Sequence, residues 1–285
     1  MSASIDNLIN VNFTKGRNDL LKFGLMLGGK GQHRPYVFTP ADLFLQGEQG
    51  AFYIPRPVVN GVQSLFQDAA GTTPVTADGD PVGLMIDQSG NGNHAIQTVS
   101  GSRPVYRTDG TLYWLETDGV DDFMLVTNQA FNINTFTAAM AVELASGAII
   151  NGRVFDSRGA GEFGVVGWHI KPFKDSNNPL VDNGSSIDNL TSSIPSGTKV
   201  NFIQRDGVNP TILRENGVQT ASDATPASGS ILTTVDSVLF ANSNGQDSQL
   251  FEGNFYGGLV VESYVSTNTA EEIESYLAAL SGVTL

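Results

Sequence analysis

Between Asn134 and Leu144 the chain alternates: Phe136, Ala138, Met140, Val142 and Leu144 share one parity, with smaller or polar residues between them. Period-two spacing of this kind predicts a half-buried strand. A short apolar run from Val82 to Ile86 and two strand-like pieces in RPVYRTDGTLYWLETDGVDDFMLV have the same character, the latter divided at Asp109–Gly110 and Asp118–Gly119. Further on, GRVFDSR, FGVVGWHI, TKVNFIQRDG, TILRENGVQT, SVLFANS and FEGNFYGGLVVESYV are short and separated by Gly, Asn, Asp, Pro or Ser. Arg205–Gly207 and Glu215–Gly217 carry Asp-Gly and Asn-Gly, which accept the positive φ of hairpin turns. The segment from Lys174 to Ser196 has few apolar residues and reads as a long loop with one short strand around Leu180.

Two regions depart from the strand pattern. At the C-terminal end, STNTAEEIESYLAAL reads as a helix. Ser266 or Thr267 caps it, Glu271 and Glu272 fall in its first turn, Ile273, Leu277 and Leu280 share its apolar face, and Gly282 ends it. At the N-terminal end, Asn18–Gly29 has near-helical apolar spacing, and Thr39 followed by Pro40 can open a short helix that Gly47 stops. Neither N-terminal segment can form a core alone. The expected organisation is an N-terminal arm with short helices over 1–60 and one β-sandwich over 61–285, with two antiparallel sheets and a short C-terminal helix.

Composition narrows the chemistry. Asp and Glu number 29 against 15 Lys and Arg, a formal net charge of -14. Phosphate backbones are poor partners for such a surface, so nucleic acid is not expected, whereas calcium and neutral glycans are compatible with it. There is no cysteine, which excludes disulfides, thiolate nucleophiles and cysteine zinc sites. No apolar run is long enough to span a bilayer, and the first residues lack the pattern of a secretory signal, so membrane insertion is not expected.

Candidate chemistry is sparse. The loop DQSGNGNHA, Asp87 to Ala95, could be catalytic, metal-binding or a tight turn. Gly90 and Gly92 can take backbone angles closed to other residues, while Asp87 and Asn91 can bond neighbouring backbone groups. His94 could serve as a base or ligand, but a lone histidine in such a loop is more often packed, so the structural turn is the better reading. No Gly-x-Ser-x-Gly elbow surrounds a serine, and GGKG lacks the spacing of a phosphate loop. Glycan contact needs exposed aromatics, and Trp168, Tyr256 and Tyr264 are the candidates. Asp156 and Asp182 are the candidate metal-binding acids, placed in or near loops, without a contiguous ligand pattern.

Several motifs stand in a familiar order. DQSGNGNHA, LETDGVDDFMLV, FTAAMAVEL, the KVNFIQRDG and ILRENGVQT pair, and FEGNFYGGLVVESYVSTNTAEEI together resemble the concanavalin A-like lectin/glucanase superfamily, in particular its LamG-like jelly-roll members. FTPADLFLQGEQGAFYIP ahead of that domain resembles a narrower set, structural proteins of tailed bacteriophages. That resemblance implies a virion-surface protein assembled in the host cytoplasm and docked to other virion proteins through its arm. It implies recognition of host-surface glycan as a tail-fibre or receptor-binding component. A capsid decoration or head-fibre protein is the alternative, and a trimer the oligomer expected by analogy. Calcium at the sandwich rim is implied, and no other cofactor. The hydrolases of the superfamily carry their carboxylates on one strand, in a Glu-x-Asp-x-x-Glu run. None stands here: Glu143 and Glu262 are solitary on their strands, and Asp121 and Asp122 are adjacent. The expectation is therefore a protein without catalysis, a polysaccharide-degrading enzyme being the remote alternative.

Overall fold

The computed structural model describes residues 37–127, 135–146, 148, 152–158, 167–172, 178–182, 187–190, 196–224, 236–241 and 249–285. The predicted helix over Asn18–Gly29 lies outside them. In chain order the first strands are β1 (Gly50–Tyr53), β2 (Val58–Val59), β3 (Val62–Gln63), β4 (Leu65–Phe66), β5 (Leu84–Met85) and β6 (Ala95–Ile96). They are followed by β7 (Val105–Thr108), β8 (Tyr113–Asp118), β9 (Met124–Val126), β10 (Phe136–Leu144), β11 (Phe155–Arg158), β12 (Gly167–Ile170) and β13 (Asn178–Asp182). The last are β14 (Ile187–Leu190), β15 (Thr198–Arg205), β16 (Thr211–Glu215), β17 (Val218–Asp223), β18 (Ser237–Leu239) and β19 (Glu252–Val261), before the helix α1 (Thr267–Ser281).

Apart from β2 and β3, which pair only with each other, the described strands form two antiparallel sheets, and the fold is an all-β sandwich. The first sheet runs β17-β16-β15-β10-β19-β8-β7, with β1 also paired to β19; the second runs β14-β13-β12-β11-β18-β9-β6-β5-β4. Their inner faces meet in one core that includes Leu115, Met140, Val142, Ile203, Phe255 and Val260 of the first sheet with Leu65, Met85, Met124, Phe155 and Leu239 of the second. The predicted alternation over Asn134–Leu144 is the inward row of β10, the strand at the centre of the first sheet. The predicted turns appear at Gly207 and at Asn216–Gly217, all with positive φ.

The outer face of the first sheet is covered in part by α1, which rests on β10, β15 and β19. Ser266 caps the helix by accepting the Thr269 N–H, and Gly282 ends it in the left-handed region. Ile273, Leu277 and Leu280 are buried as expected. Because the helix starts at Thr267, Glu271 and Glu272 fall in its second turn rather than its first. Glu274 faces the sheet, accepting from Arg214 Nε at 2.8 Å and from the Gly217 N–H at 3.2 Å.

Two expectations change. Thr39 and Pro40 do open a helical turn, a 3-10 segment from Pro40 to Phe44, in which the Asp42 carboxylate accepts the Thr39 N–H. The chain after it, however, is already sandwich: β1 pairs with β19 through Gly50↔Val261 to Tyr53↔Gly258. The compact unit that holds the sheets runs from Thr39 to Leu285. The segment read as a long loop with one short strand around Leu180 carries that strand, β13, and a second, β14. Both lie at one end of the second sheet, with β14 as its edge, and edge strands tolerate the polar residues that hide β14 in the sequence.

Candidate functional site

The loop Asp87–Ala95, which joins β5 to β6, is hydrogen-bonded to β1. Asp87 is buried, and its carboxylate accepts four hydrogen bonds: from the Phe52, Ser89 and Asn93 N–H groups at 2.9, 2.9 and 3.0 Å, and from the Ser89 hydroxyl at 2.6 Å. Asn91 and Asn93 both donate to the Gly50 carbonyl, and the Tyr53 hydroxyl donates to the Asn93 carbonyl at 2.5 Å. Gly90 and Gly92 have φ of 89° and 81°, which residues with a Cβ rarely adopt. His94 is held through Nδ1, which accepts the Asp87 N–H at 3.2 Å. With its acid and its histidine spent on backbone groups, the loop offers no assembled catalytic set.

Chemistry-bearing side chains gather instead on the outer face of the first sheet, on β10, β19, β8 and β7. Leu115 and Phe255 point into the core, so their neighbours Trp114, Glu116, Asn254 and Tyr256 point out. Val142 is likewise inward, so Glu143 is outward. Register aligns them: Asn254 stands opposite Glu143 on one side and opposite Glu116 on the other. Glu143, Asn254 and Glu116 therefore form a row across three adjacent strands. Asn254 Nδ2 donates to Glu143 Oε2 at 3.0 Å, and the Tyr256 hydroxyl donates to the same oxygen at 2.9 Å. Glu116 turns the other way, accepting from Arg107 Nε on β7 at 2.6 Å.

A β-bulge delivers the tyrosine. The register shifts between Ala141 and Val142, whose partners are Gly257 and Phe255, so Tyr256 is the extra residue of β19. The bulge needs Gly257, at φ 146°: a Cβ there would lie 2.9 Å from Leu280 Cδ1 and 3.1 Å from the Tyr53 carbonyl. Gly253 allows the close approach of β10, since a Cβ would lie 2.1 Å from the Glu143 carbonyl. Tyr256 also meets Trp114, with ring centroids 5.8 Å apart and planes tilted by 42°. Burial, and then the bond to Glu143, push the Tyr256 phenol well above its ordinary value. It remains a neutral donor at any physiological pH.

Of the other candidates, Tyr264 lies beyond the C-terminal end of β19, half-buried, and does not join Tyr256 in the row. Trp168 pairs with Ser157 and Val181 in β12; its side chain lies outside the described ones, as does that of Asp182 in β13. Asp156 is fully buried in β11 and paired with Arg153. Among the described residues the acids that could hold a cation are Asp118, Asp121 and Asp122, whose oxygens lie within 4.8 Å of one another in the turn after β8. They are already engaged in the turn, where Asp118 accepts from the Val120 N–H and Asp122 from the Asp118 N–H. Burial, followed by the charge of Asp118, raises the Asp122 carboxyl to about 6.

The sequence points to Tyr256 but leaves Glu143 solitary and gives no sign of Glu116, Asn254 and Trp114 as partners. A pattern along one strand cannot show a row that runs across strands. Only the pairing register reveals it.

No protein-family model matches the chain, and no curated protein matches it. Solved structures do. A mutant GH54 α-L-arabinofuranosidase soaked with 4-nitrophenyl α-L-arabinofuranoside aligns at 16% identity and a TM-score of 0.56, over 86% of this chain and 66% of that one. The arabinofuranosidase complexed with arabinofuranosyl-α-1,2-xylobiose aligns at 15% and 0.54, over 86% and 65%. The chain thus spans about two thirds of the length of these enzymes, and the likeness is one of fold. It corrects the expectation of a non-enzymatic virion protein, whether tail fibre, receptor-binding component or capsid decoration. Most of this chain shares its fold with these two arabinofuranosidases. The missing Glu-x-Asp-x-x-Glu run does not exclude an enzyme either, because carboxylates on neighbouring strands can share a face.

Proposed function

We propose that this protein is a carbohydrate-active enzyme that hydrolyses glycosidic bonds of a polysaccharide. The observation that carries the reading is the outward row Glu143–Asn254–Glu116 beside the Trp114–Tyr256 aromatic pair. Glycoside hydrolysis uses two carboxyl groups that flank the scissile bond, one delivering a proton to the departing oxygen and the other assisting attack on the sugar. Glu143 and Glu116 supply such a pair, and both are at least partly exposed to solvent. Trp114, partly exposed, offers a face on which a sugar ring can stack, a contact that needs little of the substrate's polar detail. The shared fold with arabinofuranosidases supports the same class of chemistry and suggests an α-L-arabinofuranoside as the first substrate to try.

The test is hydrolysis of a panel of 4-nitrophenyl glycosides, including the α-L-arabinofuranoside, by the full chain. Turnover is expected, and Glu143→Gln and Glu116→Gln should each lower kcat about 10²–10⁴-fold, the usual contribution of a general acid or base. Trp114→Ala should raise KM about tenfold, equivalent to ~1.4 kcal/mol of binding, with a smaller effect on kcat. If the wild-type chain turns over no member of the panel, the proposal fails.

A further inference from the structure

An asparagine followed by glycine is open to attack by its own backbone, because glycine has no Cβ to shield the nitrogen that follows the asparagine. Among the described residues three asparagines precede glycine: Asn60, Asn91 and Asn216. The structure assigns one of them, Asn60, as a site of spontaneous modification in the folded protein. The modification is deamidation through a succinimide, which leaves aspartate or isoaspartate at this position.

Two of the three asparagines are locked. The Asn216 N–H donates to the Val200 carbonyl, and its Oδ1 accepts the Val200 N–H at 2.8 Å. The nitrogen that would attack it, that of Gly217, donates to Glu274 Oε1 at 3.2 Å. In Asn91 the amide nitrogen that would leave donates to the Glu48 and Gly50 carbonyls, at 3.0 Å each. Both asparagines are half-buried, and these bonds must break before either side chain can turn toward the next nitrogen.

Asn60 is held by nothing comparable. With Gly61 it forms the tip of the β2–β3 hairpin, where Val59 faces Val62. The two turn residues have φ of 50° and 80°, the mirror-image turn that asparagine and glycine accept. Both are exposed, and among the described residues no hydrogen bond engages the Asn60 side chain or the Gly61 N–H. The hairpin is itself weakly held. β2 and β3 have two residues each and pair only with each other, and two-stranded ribbons are marginal in water. Val58 and Val62 add little packing, being 53% and 66% exposed. The tip therefore belongs to the part of the molecule that opens at little cost, and it can sample the rotation that brings Asn60 Cγ to the Gly61 nitrogen.

In the reaction, the Gly61 nitrogen gives its proton to solvent and bonds to Asn60 Cγ. The Cγ–Nδ2 bond breaks, and Nδ2 takes up a proton and leaves as ammonia. Water then opens the five-membered ring. Cleavage of the new N–Cγ bond gives aspartate. Cleavage of the original bond from the Gly61 nitrogen to the Asn60 carbonyl carbon gives isoaspartate, whose chain runs on through Cβ and Cγ. One water is consumed, one ammonia is released, nothing is oxidised, and the turn gains a negative charge.

The experiment is peptide mapping by mass spectrometry, with enzymatic methylation to mark isoaspartate. The full chain is held folded at pH 8 and, in parallel, unfolded in guanidinium chloride. In denaturant the three sites should convert at similar rates, since each precedes glycine. Folding should slow conversion at Asn60 by less than about tenfold, and at Asn91 and Asn216 by more than about a hundredfold. Equal protection at all three sites would overturn the assignment. So would an Asn60 that keeps its amide in the folded chain while it converts in denaturant. Raising the pH to 9 should speed conversion of folded Asn60, because the Gly61 nitrogen must shed its proton to attack; a rate unchanged by pH would exclude the succinimide route.

Discussion

At the scale of single residues, the best-placed probe of the turn after β8 is Asp122. Its carboxyl is raised to about 6, first by burial and then by Asp118. A carboxyl whose folded value exceeds its unfolded one favours the fold when protonated. Its contribution is therefore fully present below the unfolded value near 3.8 and is lost as pH rises through about 6. Asp122→Asn keeps an oxygen to accept the Asp118 N–H while removing the titration. It should raise Tm at pH 7–8 and flatten Tm against pH between 4 and 7; a variant as pH-sensitive as the wild type would show that Asp122 does not titrate in this window. Gly253 makes a steric test of the candidate site. A Cβ there meets the Glu143 carbonyl, so Gly253→Ala should cost about 1–3 kcal/mol as overpacking, read by chemical denaturation, and should move β10 away from β19.

At the scale of elements, the pinning of α1 to the sheet rests on Arg214 and Glu274. The glutamate side chain is fully buried and the arginine nearly so. Burial raises the Glu274 carboxyl, and Arg214 opposes that rise. Removing the arginine would leave a buried carboxylate unpaired, for which the usual cost is about 3–5 kcal/mol. Arg214→Met should show a loss of that order at pH 8 and a smaller one at low pH, where Glu274 takes up a proton. A loss independent of pH would assign the effect to packing alone. Legibility from sequence divides along the same elements. The helix, its cap and its buried face were readable because α1 is amphipathic and ends in glycine. The inward row of β10 was readable because it is apolar. β15 reads as a strand, but its inward face does not show, because Lys199, Asn201 and Arg205 share the inward parity with Ile203 and are buried, Lys199 with Glu215 at 2.7 Å. Polar residues turned inward imitate an exposed strand. The candidate site was least legible, since neither the register that joins Glu116 to Asn254 nor the bulge at Tyr256 leaves a local mark in the sequence.

At the scale of the molecule, the formal charge of -14 sets the response to salt. Self-repulsion of like charges opposes the compact state and is screened once the Debye length falls well below the size of the protein. Raising NaCl from low salt to ~0.5 M should therefore increase Tm by a few degrees, measured by thermal denaturation. A decrease would mean that attractive surface pairs such as Arg107–Glu116 outweigh the net repulsion. The two-sheet architecture followed from short strands and turn chemistry, whereas the membership of β1 did not. A four-residue strand that finds its partner at the far end of the chain has no signal in its own neighbourhood.

That long-range pairing has a consequence in time. β19 is hydrogen-bonded to β1, β8 and β10, so three strands in the middle of the first sheet depend on a segment that follows nearly all the others. Partners such as Gly50 and Val261, roughly two hundred residues apart, can meet only after a large loop closes, which slows folding. During synthesis the ribosome releases β1, β8 and β10 long before β19 emerges. Until then they present open strand edges, the period in which this chain is most exposed to misassociation.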